Sequence, residues 1–480
     1  MIDMRINMIS MTLMTILLAG CAVGPDYHRP SVPVTAHYKG TKGWQQAKPM
    51  DQVNKGPWWQ IYKDPVLSLL LEKVSINNQN VAQYAAQYRK ARALAKEAGA
   101  NLYPTIDLSA SGTRSLSSQT TENQYTTSAS ASWELDLWGK LRRTRQEERA
   151  SAQASAAELA NALLSAQSEL AQDYFQLRVT DAKIRLYKKN IDVYRHYLAV
   201  VENQYKAGKG TSADVAQART QLHSTTASML DLVWQRAQYE HAIAVLMGRS
   251  PSNFSLPVKS LNFYLPKIPV GIPSELLQRR PDIAYAERNM ASANAAVGVA
   301  IAGYYPDVTL SASGGFQNSS WADLFTLPSK MWSIGPSISE TLLDFGATKA
   351  KVASARANYD AKVAAYRQSV LSAFEEVENN MVELSVLKQE YFARDQAAKA
   401  AEESARVTYN QYKSGMISYL DVATTESTSL SQQQSLLSLV ETRLVTSVKL
   451  VAALGGGWQS SLLPGEKALP ISLKPVKSRQ

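Results

Sequence analysis

The sequence predicts a mainly α-helical protein with a small β part, built as two tandem repeats. Three observations carry this. Gly139 to Tyr205 contains no proline and is rich in Ala, Gln, Leu and charge, which at 1.5 Å per residue makes a helix of roughly 100 Å. Four short segments alternate between apolar and small polar residues, the period-2 signature of strands with one apolar and one wet face. The two halves also match each other. Pro104–Gly112 (PTIDLSASG) parallels Pro306–Gly314 (PDVTLSASG) at a spacing of 202 residues. Asn203–Gly208 parallels Asn410–Gly415, Asp214-Val215-Ala216 parallels Asp421-Val422-Ala423, and Gly139 parallels Gly346, all at a spacing of 207. The unit is about 200 residues long, far beyond solenoid periods. The change in spacing puts a longer loop between the strands of the second repeat.

The elements follow in order. Ser10–Cys21 (SMTLMTILLAGC) is an apolar core ending in small residues, as in export signals. Leu18-Ala19-Gly20-Cys21 resembles a bacterial lipobox, in which the thiol is lipid-modified and begins the mature chain. Residues 1–20 are thus expected to be a lipoprotein signal peptide and Cys21, the single cysteine, the lipidation site. In such lipoproteins an aspartate after the cysteine favours inner-membrane retention. Ala22 stands there, so the resemblance implies a lipid-anchored protein of the cell outer membrane that extends into the periplasm. Residues 21–62 hold Pro25, Pro30, Pro33, Pro49 and Pro57 without periodicity and are expected to form an extended N-terminal tether.

The first repeat is expected over 63–249: a helix, strands within 105–137, a long helix 139–206, a tip 207–213 and a returning helix 214–247. Ile106, Leu108 and Ala110 alternate with Asp107, Ser109 and Ser111; Tyr125 to Leu137 alternates likewise against Thr126, Ser128, Ser130, Ser132, Glu134 and Asp136. Ser115–Asn123 and Gln317–Lys330 read as exposed loops. The distal helix carries a three-and-four seam from Leu177 through Ile184, Tyr187, Ile191 and Tyr194 to Tyr205, resumed from Val215 to Leu246 with Arg236 inside it. These are coiled-coil heptads with polar defects. Residues 250–273 contain Pro251, Pro257, Pro266 and Pro273, which exclude helix; they are expected to be an equatorial connector.

The second repeat is expected over 274–457: a helix, strands within 307–343, a long helix 346–413, a tip 414–420 and a returning helix 421–454. Val308, Leu310 and Ala312, then Trp332, Ile334 and Ile338, mark the strands, and Gly335-Pro336 calls for a bulge or bend. Leu430, Leu437, Leu444 and Val451 repeat every seventh residue. Residues 458–480 form a C-terminal tail.

Charged residues at 19% and hydrophobic ones at 45% describe an ordered protein. The net charge of +10 is spread among acids apart from clusters such as Leu141–Arg145, so no nucleic-acid partner is expected. Beyond Cys21 no run of about 18 apolar residues exists, so any membrane crossing must be a closed barrel. Four strands cannot close one. Two chains would give about eight strands around a filled interior, and three about twelve around an open channel. The five histidines lack metal spacing, no nucleophile elbow is present, and Gly208-Lys209-Gly210-Thr211 lacks the spacing of a phosphate loop. The chain is therefore not expected to be an enzyme or to need a metal or cofactor. A lipid-anchored periplasmic coiled-coil scaffold without a pore is the alternative function, and it leaves the alternating strands without a purpose.

Gly24-Pro25-Asp26-Tyr27-His28-Arg29-Pro30, Trp58-Trp59 with Asp64-Pro65, and Gln278-Arg279-Arg280-Pro281-Asp282-Ile283 with Ala286-Glu287 together resemble the lipoprotein outer membrane factors. These are the TolC-like efflux channels, here of the NodT-type branch, that serve tripartite pumps. The resemblance covers nearly the whole mature chain. It implies a homotrimer with a twelve-stranded transmembrane β-barrel and a helical periplasmic tunnel. It also implies outer-membrane lipid around the barrel, a periplasmic membrane-fusion adaptor and an inner-membrane pump of the resistance-nodulation-division (RND) class. The channel would be a passive exit duct for small toxic molecules.

Such channels narrow at the start of the second returning helix, which here is Gly415 to Thr424. The resemblance points to Leu420 and Asp421 as a periplasmic gate. Thr424 stands where many relatives have a second acid. Gly208, Gly210, Gly415 and Met416 mark the tip turns that would meet the adaptor or pump. Two roles stay open for Asp421: a carboxylate ring at the gate, or only a helix cap like its repeat mate Asp214.

Overall fold

The computed structural model describes residues 22–32, 38–39, 57–117, 120–259, 264–268 and 277–464. The leader, Cys21, most of the tether, parts of the connector and the end of the tail lie outside them. Helix α1 (Pro65–Asn77) starts where Asp64 Oδ1 accepts from the backbone N–H groups of Val66 and Leu67. Asn78 then caps α2 (Gln79–Ala100) through Val81 N, so the single helix expected before the strands is two. Strands β1 (Thr105–Ser117) and β2 (Thr120–Glu134) follow. Helix α3 (Lys140–Lys206) and helix α4 (Ser212–Leu246) run for 67 and 35 residues. The second half repeats the plan: α5 (Pro281–Ala302), β3 (Asp307–Asn318), β4 (Lys330–Ser339), then α6 (Ala347–Lys413) and α7 (Tyr419–Ala453), again of 67 and 35 residues.

Several boundaries differ from the sequence reading. The segment taken as the loop Ser115–Asn123 is mostly strand, since β1 runs to Ser117 and β2 starts at Thr120. Ladder pairs such as Ser115↔Glu122 and Leu116↔Thr121 recruit polar residues that carry no strand signal of their own. At its other end β2 stops at Glu134, before Leu135 and Leu137, because Asp136 turns to accept from the N–H groups of Leu141 and Arg142 at the start of α3. Gly335-Pro336 makes no bulge: Ser311↔Gly335 and Leu310↔Pro336 stay in register. β4 is an edge strand within the chain, where proline is tolerated. The 21–62 segment, expected as an extended tether, packs on the helices where it is described. Trp58–Tyr62 is a 3-10 turn whose Trp58, Trp59 and Tyr62 are buried in the main core.

The four strands form one antiparallel sheet in the order β1-β2-β3-β4. Register aligns the apolar positions into rows. Ile106, Ala131, Ala312 and Ile334 lie side by side, as do Leu108, Ala129, Gly314 and Trp332. The opposite face aligns Asp107, Ser130, Ser313 and Ser333, with Ser109 and Ser128 hydroxyls 3.0 Å apart and those of Ser313 and Ser333 2.8 Å apart. Nothing among the described residues covers the apolar face: Leu108 is 81% and Ile334 66% exposed.

The main core sits midway along the helices, where Trp58, Trp59, Tyr62 and α1 pack on Leu170, Tyr174, Phe175 and Leu177 of α3 and on Leu444, Val448 and Val451 of α7. Arg236, the polar defect in the seam, has a purpose here. Its Nε donates to Asp181 Oδ1 at 2.7 Å and its Nη2 to the carbonyl of Leu256 at 2.6 Å, while Arg178 Nη1 reaches Asp181 Oδ2 at 3.2 Å and the carbonyl of Pro257 at 2.8 Å. The buried ion cluster thus holds the connector against α3 and α4.

The repeats also share a junction. After α4, Gly248 (φ 64) lies so close to Asn77 that an added Cβ would be 2.2 Å from its carbonyl oxygen. After α7, Gly455 (φ 94) meets the carbonyl of Arg279 in the same way, at 2.0 Å. The neighbours match too. Asn78 Nδ2 donates to the carbonyl of Leu246 at 2.8 Å, and Arg280 Nη1 donates to that of Ala453 at 2.9 Å. Each returning helix is therefore fastened at its base to the start of the short helix of its own repeat. Gly455→Ala should lower stability by about 1–3 kcal/mol from its backbone conformation alone, and by more from the collision. Gly208→Ala, with nothing within 4 Å of the added atom, should show only the conformational part. Thermal unfolding of the two variants measures the difference.

Candidate functional site

Three regions converge on function: the foot of the sheet, the distal tip and the seam between α3 and α7. At the foot, Arg143 in the first turn of α3 is only 3% exposed. Its Nε donates to the carbonyl of Val23 at 3.0 Å, and its Nη2 to that of Gly24 at 3.1 Å and to Asp26 Oδ1 at 3.0 Å. Val23 N donates to the carbonyl of Trp138 at 2.9 Å, and Asn294 Nδ2 to that of Pro25 at 3.0 Å. Gly24 and Gly298 touch backbone to backbone, with a Cβ on Gly24 falling 2.5 Å from Gly298 Cα. Further on, Tyr27 donates to Glu287, and burial together with that carboxylate pushes the phenol up. Arg29 Nε donates to Tyr366 at 2.8 Å.

Residues 22–30 are thus strapped across α3, α5 and α6. Ala22 rests on Gly139 at the root of α3, its Cα 2.7 Å from where a Cβ on Gly139 would lie. Cys21 itself is outside the described residues. The strap was missed in the sequence because its partners are more than 100 residues away. Its one local sign was the cluster Leu141–Arg145.

At the tip, Gly208 (φ 71) and Gly415 (φ 75) end the long helices in the left-handed conformation. Gly210 completes the first turn, and Met416, 68% exposed, stands at the second. Both returning helices open with a capping box. Asp214 Oδ2 accepts from Thr211 N at 3.0 Å and Oγ1 at 2.7 Å; Asp421 Oδ2 accepts from Ser418 N at 3.1 Å and Oγ at 2.8 Å. Both acids cap in the same way. What differs is their company. Leu420 is 60% exposed and shares one uncovered face of α7 with Asp421 and Thr424, whose hydroxyl donates to the carbonyl of Leu420 at 2.9 Å. The first repeat has Ala213 in the place of Leu420.

Between the two helical pairs runs a seam of polar contacts made mostly by tyrosine hydroxyls. Tyr187 donates to Gln434 Oε1 and Tyr197 to Glu426 Oε1, each at 2.7 Å, and Lys183 pairs with Glu441 at 2.8 Å. Tyr412 donates to Gln204, and Tyr197 stacks on Tyr409 at 4.4 Å. Burial raises the Glu426 carboxyl above its usual range, against the hydrogen bond from Tyr197. Periodicity marked Tyr187 and Tyr194 as seam residues but said nothing of which helix they meet. Among the described residues no group of three or more His, Cys, Asp or Glu is placed to hold a metal ion.

An amphipathic sheet with open edges, set on paired helices of 67 residues, defines a subunit of an oligomeric membrane channel with a helical conduit. The sequence profile of the outer membrane efflux protein family matches residues 70–249 and again 272–456, one match per repeat, and the chain belongs to that family. It is 28% identical over 450 residues to the cation efflux system protein CusC of Escherichia coli O6:H1, covering 92% of this chain and 97% of that one. It is 29% identical over 463 residues to the solvent efflux pump outer membrane protein SrpC of Pseudomonas putida, covering 93% and 97%. The probable outer membrane lipoprotein SilC of Salmonella typhimurium is 27% identical over 449 residues, covering 92% and 97%. The structure of the outer-membrane channel OprN superposes with a TM-score of 0.86 at 30% identity, covering 92% of this chain and 100% of that one.

The strap yields a test. Arg143→Ala leaves two backbone carbonyls and Asp26 without their donor and should cost roughly 2–3 kcal/mol. Hydrogen exchange over residues 22–30 should rise many-fold while the tip is unchanged. Lysine at this position should rescue only partly, since it cannot fork between separate acceptors.

Proposed function

We propose that this chain forms the outer-membrane exit duct of a tripartite efflux system. Three copies would close a twelve-stranded barrel, and the duct would pass small toxic molecules handed over by an RND-class inner-membrane pump through a periplasmic adaptor. The observation that carries the reading is the sheet: one face apolar and uncovered, the other lined with hydroxyls, both edges open. A coiled-coil scaffold has no use for such a sheet. Aromatic side chains bracket it, as at the two interfaces of a membrane barrel. Trp133, Tyr103 and the stacked Trp138–Tyr305 pair lie at the helical end; Tyr125 against Trp321 and Phe316 against Phe325 lie at the other.

Passage through a barrel and a helical conduit needs only an aqueous path, so nothing in the reading calls for catalysis. Relatives at 28% and 29% identity are named for cations and for solvents, which fits a duct whose cargo is chosen by the pump. Lipid on Cys21 would then enter the bilayer at the foot of the barrel, because Ala22 is pinned beside Gly139. The protein in detergent should have a mass of about 150 kDa, three mature chains of a 52.7 kDa precursor, and should conduct ions in planar bilayers. A conducting monomer would refute the reading. Leu108→Arg should cost about 2–4 kcal/mol if near the bilayer midplane, while Ser109→Arg on the hydroxyl face should be mild; heat resistance of the assembled trimer reports both.

The gate belongs to the same proposal. A threefold axis near the tip would gather three copies of Leu420 and Asp421, and the exposed face they share with Thr424 supports this. The carboxylates would then repel one another and favour cations. Asp421→Ala should raise single-channel conductance and weaken cation preference, whereas Asp214→Ala should change neither. Because both acids cap a helix alike, equal behaviour of the two variants would show that Asp421 is only a cap.

A further inference from the structure

We propose that an open cleft between α2, α3 and α5, just below the foot of the sheet, binds the phosphate headgroup of an acidic phospholipid from the inner leaflet of the outer membrane. The inference rests on reading the sheet as membrane-inserted. The cleft has a volume of about 1020 Å³. Five cationic side chains line it, Lys96, Arg143, Arg145, Arg149 and Arg288, against one acid, Asp26. Two of the five are already engaged. Arg143 holds the strap and Asp26, and Arg288 is paired with Glu287 and donates to Gln153 at 3.1 Å. Lys96, Arg145 and Arg149 have no acidic partner among the described residues.

These three converge. Arg145 and Arg149 are one turn apart on the same face of α3, and Lys96 faces them from α2. Gly99 of α2 lies beside Arg145, where a Cβ would be 3.7 Å from its Nε, so the arginine side chain passes a residue with no side chain. Both arginines are partly buried. Like charges gathered in a partly desolvated cleft repel unless an anion joins them, and the fork of arginine suits a phosphate.

Position selects the source of that phosphate. Asp26 and Tyr27 of the strap line the cleft, which puts it on the side of the helical wall that the strap crosses, and lipid on Cys21, as proposed above, would enter the bilayer on that side. Arg145 stands about 9 Å along α3 from Gly139, exposed Tyr103 forms the upper rim, and a long side chain can reach up to the headgroup layer. A phospholipid whose phosphate sat in the cleft would then lay its acyl chains along the apolar face of the sheet. A polybasic site at this depth attracts anionic lipid over zwitterionic lipid.

The test is native mass spectrometry of the full mature protein in detergent with equal amounts of phosphatidylglycerol and phosphatidylethanolamine. The wild type should retain phosphatidylglycerol about tenfold or more in preference. The triple variant Lys96→Gln, Arg145→Gln, Arg149→Gln should lose that preference. A control, Lys188→Gln, Lys362→Gln, Lys388→Gln, removes the same charge elsewhere and should keep it. Millimolar inorganic phosphate should not displace the lipid. Equal retention of the two lipids by the wild type would overturn the proposal, whatever the variant does. So would preference surviving in the triple variant, or displacement by inorganic phosphate, which would make the cleft a free-anion site. Bilayer conductance of the wild type separates the two readings: a conducting trimer without lipid preference refutes the cleft alone, and absence of conductance counts against the channel.

Discussion

The sheet cannot be finished within one chain, and the rest of the architecture follows from that. Among the described residues nothing pairs with the outer edges of β1 and β4, and nothing covers the Ile, Leu and Trp of one face. In water such an edge and such a face promote aggregation. Both are satisfied together only when strands of other copies pair at the edges and lipid covers the apolar face. The hydroxyl rows on the other face then surround water. The chain is thus committed to an assembly and to a membrane by two short stretches, Thr105–Glu134 and Asp307–Ser339, while its helices carry the length.

What holds the helices in place beneath the sheet is a set of polar clasps, most of them made between parts distant in sequence. Arg143 gathers the first described residues onto the base of α3, Arg178, Asp181 and Arg236 hold the connector at mid-height, and Asn78 and Arg280 fasten the two returning helices. Packing along the coiled-coil seams is repetitive and tolerates sliding by a turn. Directional hydrogen bonds to single carbonyls do not, so the clasps fix the register that the apolar seams leave loose.

Much of the fold was legible because its signals are local. Alternation in Ile106–Ser111 and Asp307–Ala312, heptads from Leu430 to Val451 and the duplicated NQYK-x-G tips can be read without knowing any partner. Strand ends were less legible, since Ser115, Glu122 and Thr121 join the ladder only because the opposite strand is present. The strap, the ion cluster and the partners of Tyr187 and Tyr197 were not legible at all. An isolated Arg143 or Arg236 looks like any charge on a helix, and only its acceptors give it meaning. At the gate the sequence offered two roles for Asp421. The capping box shows one of them directly, while the other depends on neighbouring copies.

The junction at Gly455 has a mechanical side. α7 extends 35 residues from that fixed base to the tip, a rigid arm of about 52 Å. Tilting such an arm by about 5° at its root displaces its far end by roughly 4–5 Å, comparable to the width of a leucine side chain. Very little angular play at the base of α7, too small to disturb the core around it, would therefore separate wide from narrow at the far end. α4 has the same length and the same kind of glycine pivot. Two levers of equal reach are thus hinged at one level, and Tyr197 of α3 holds one of them, α7, near its free end through Glu426.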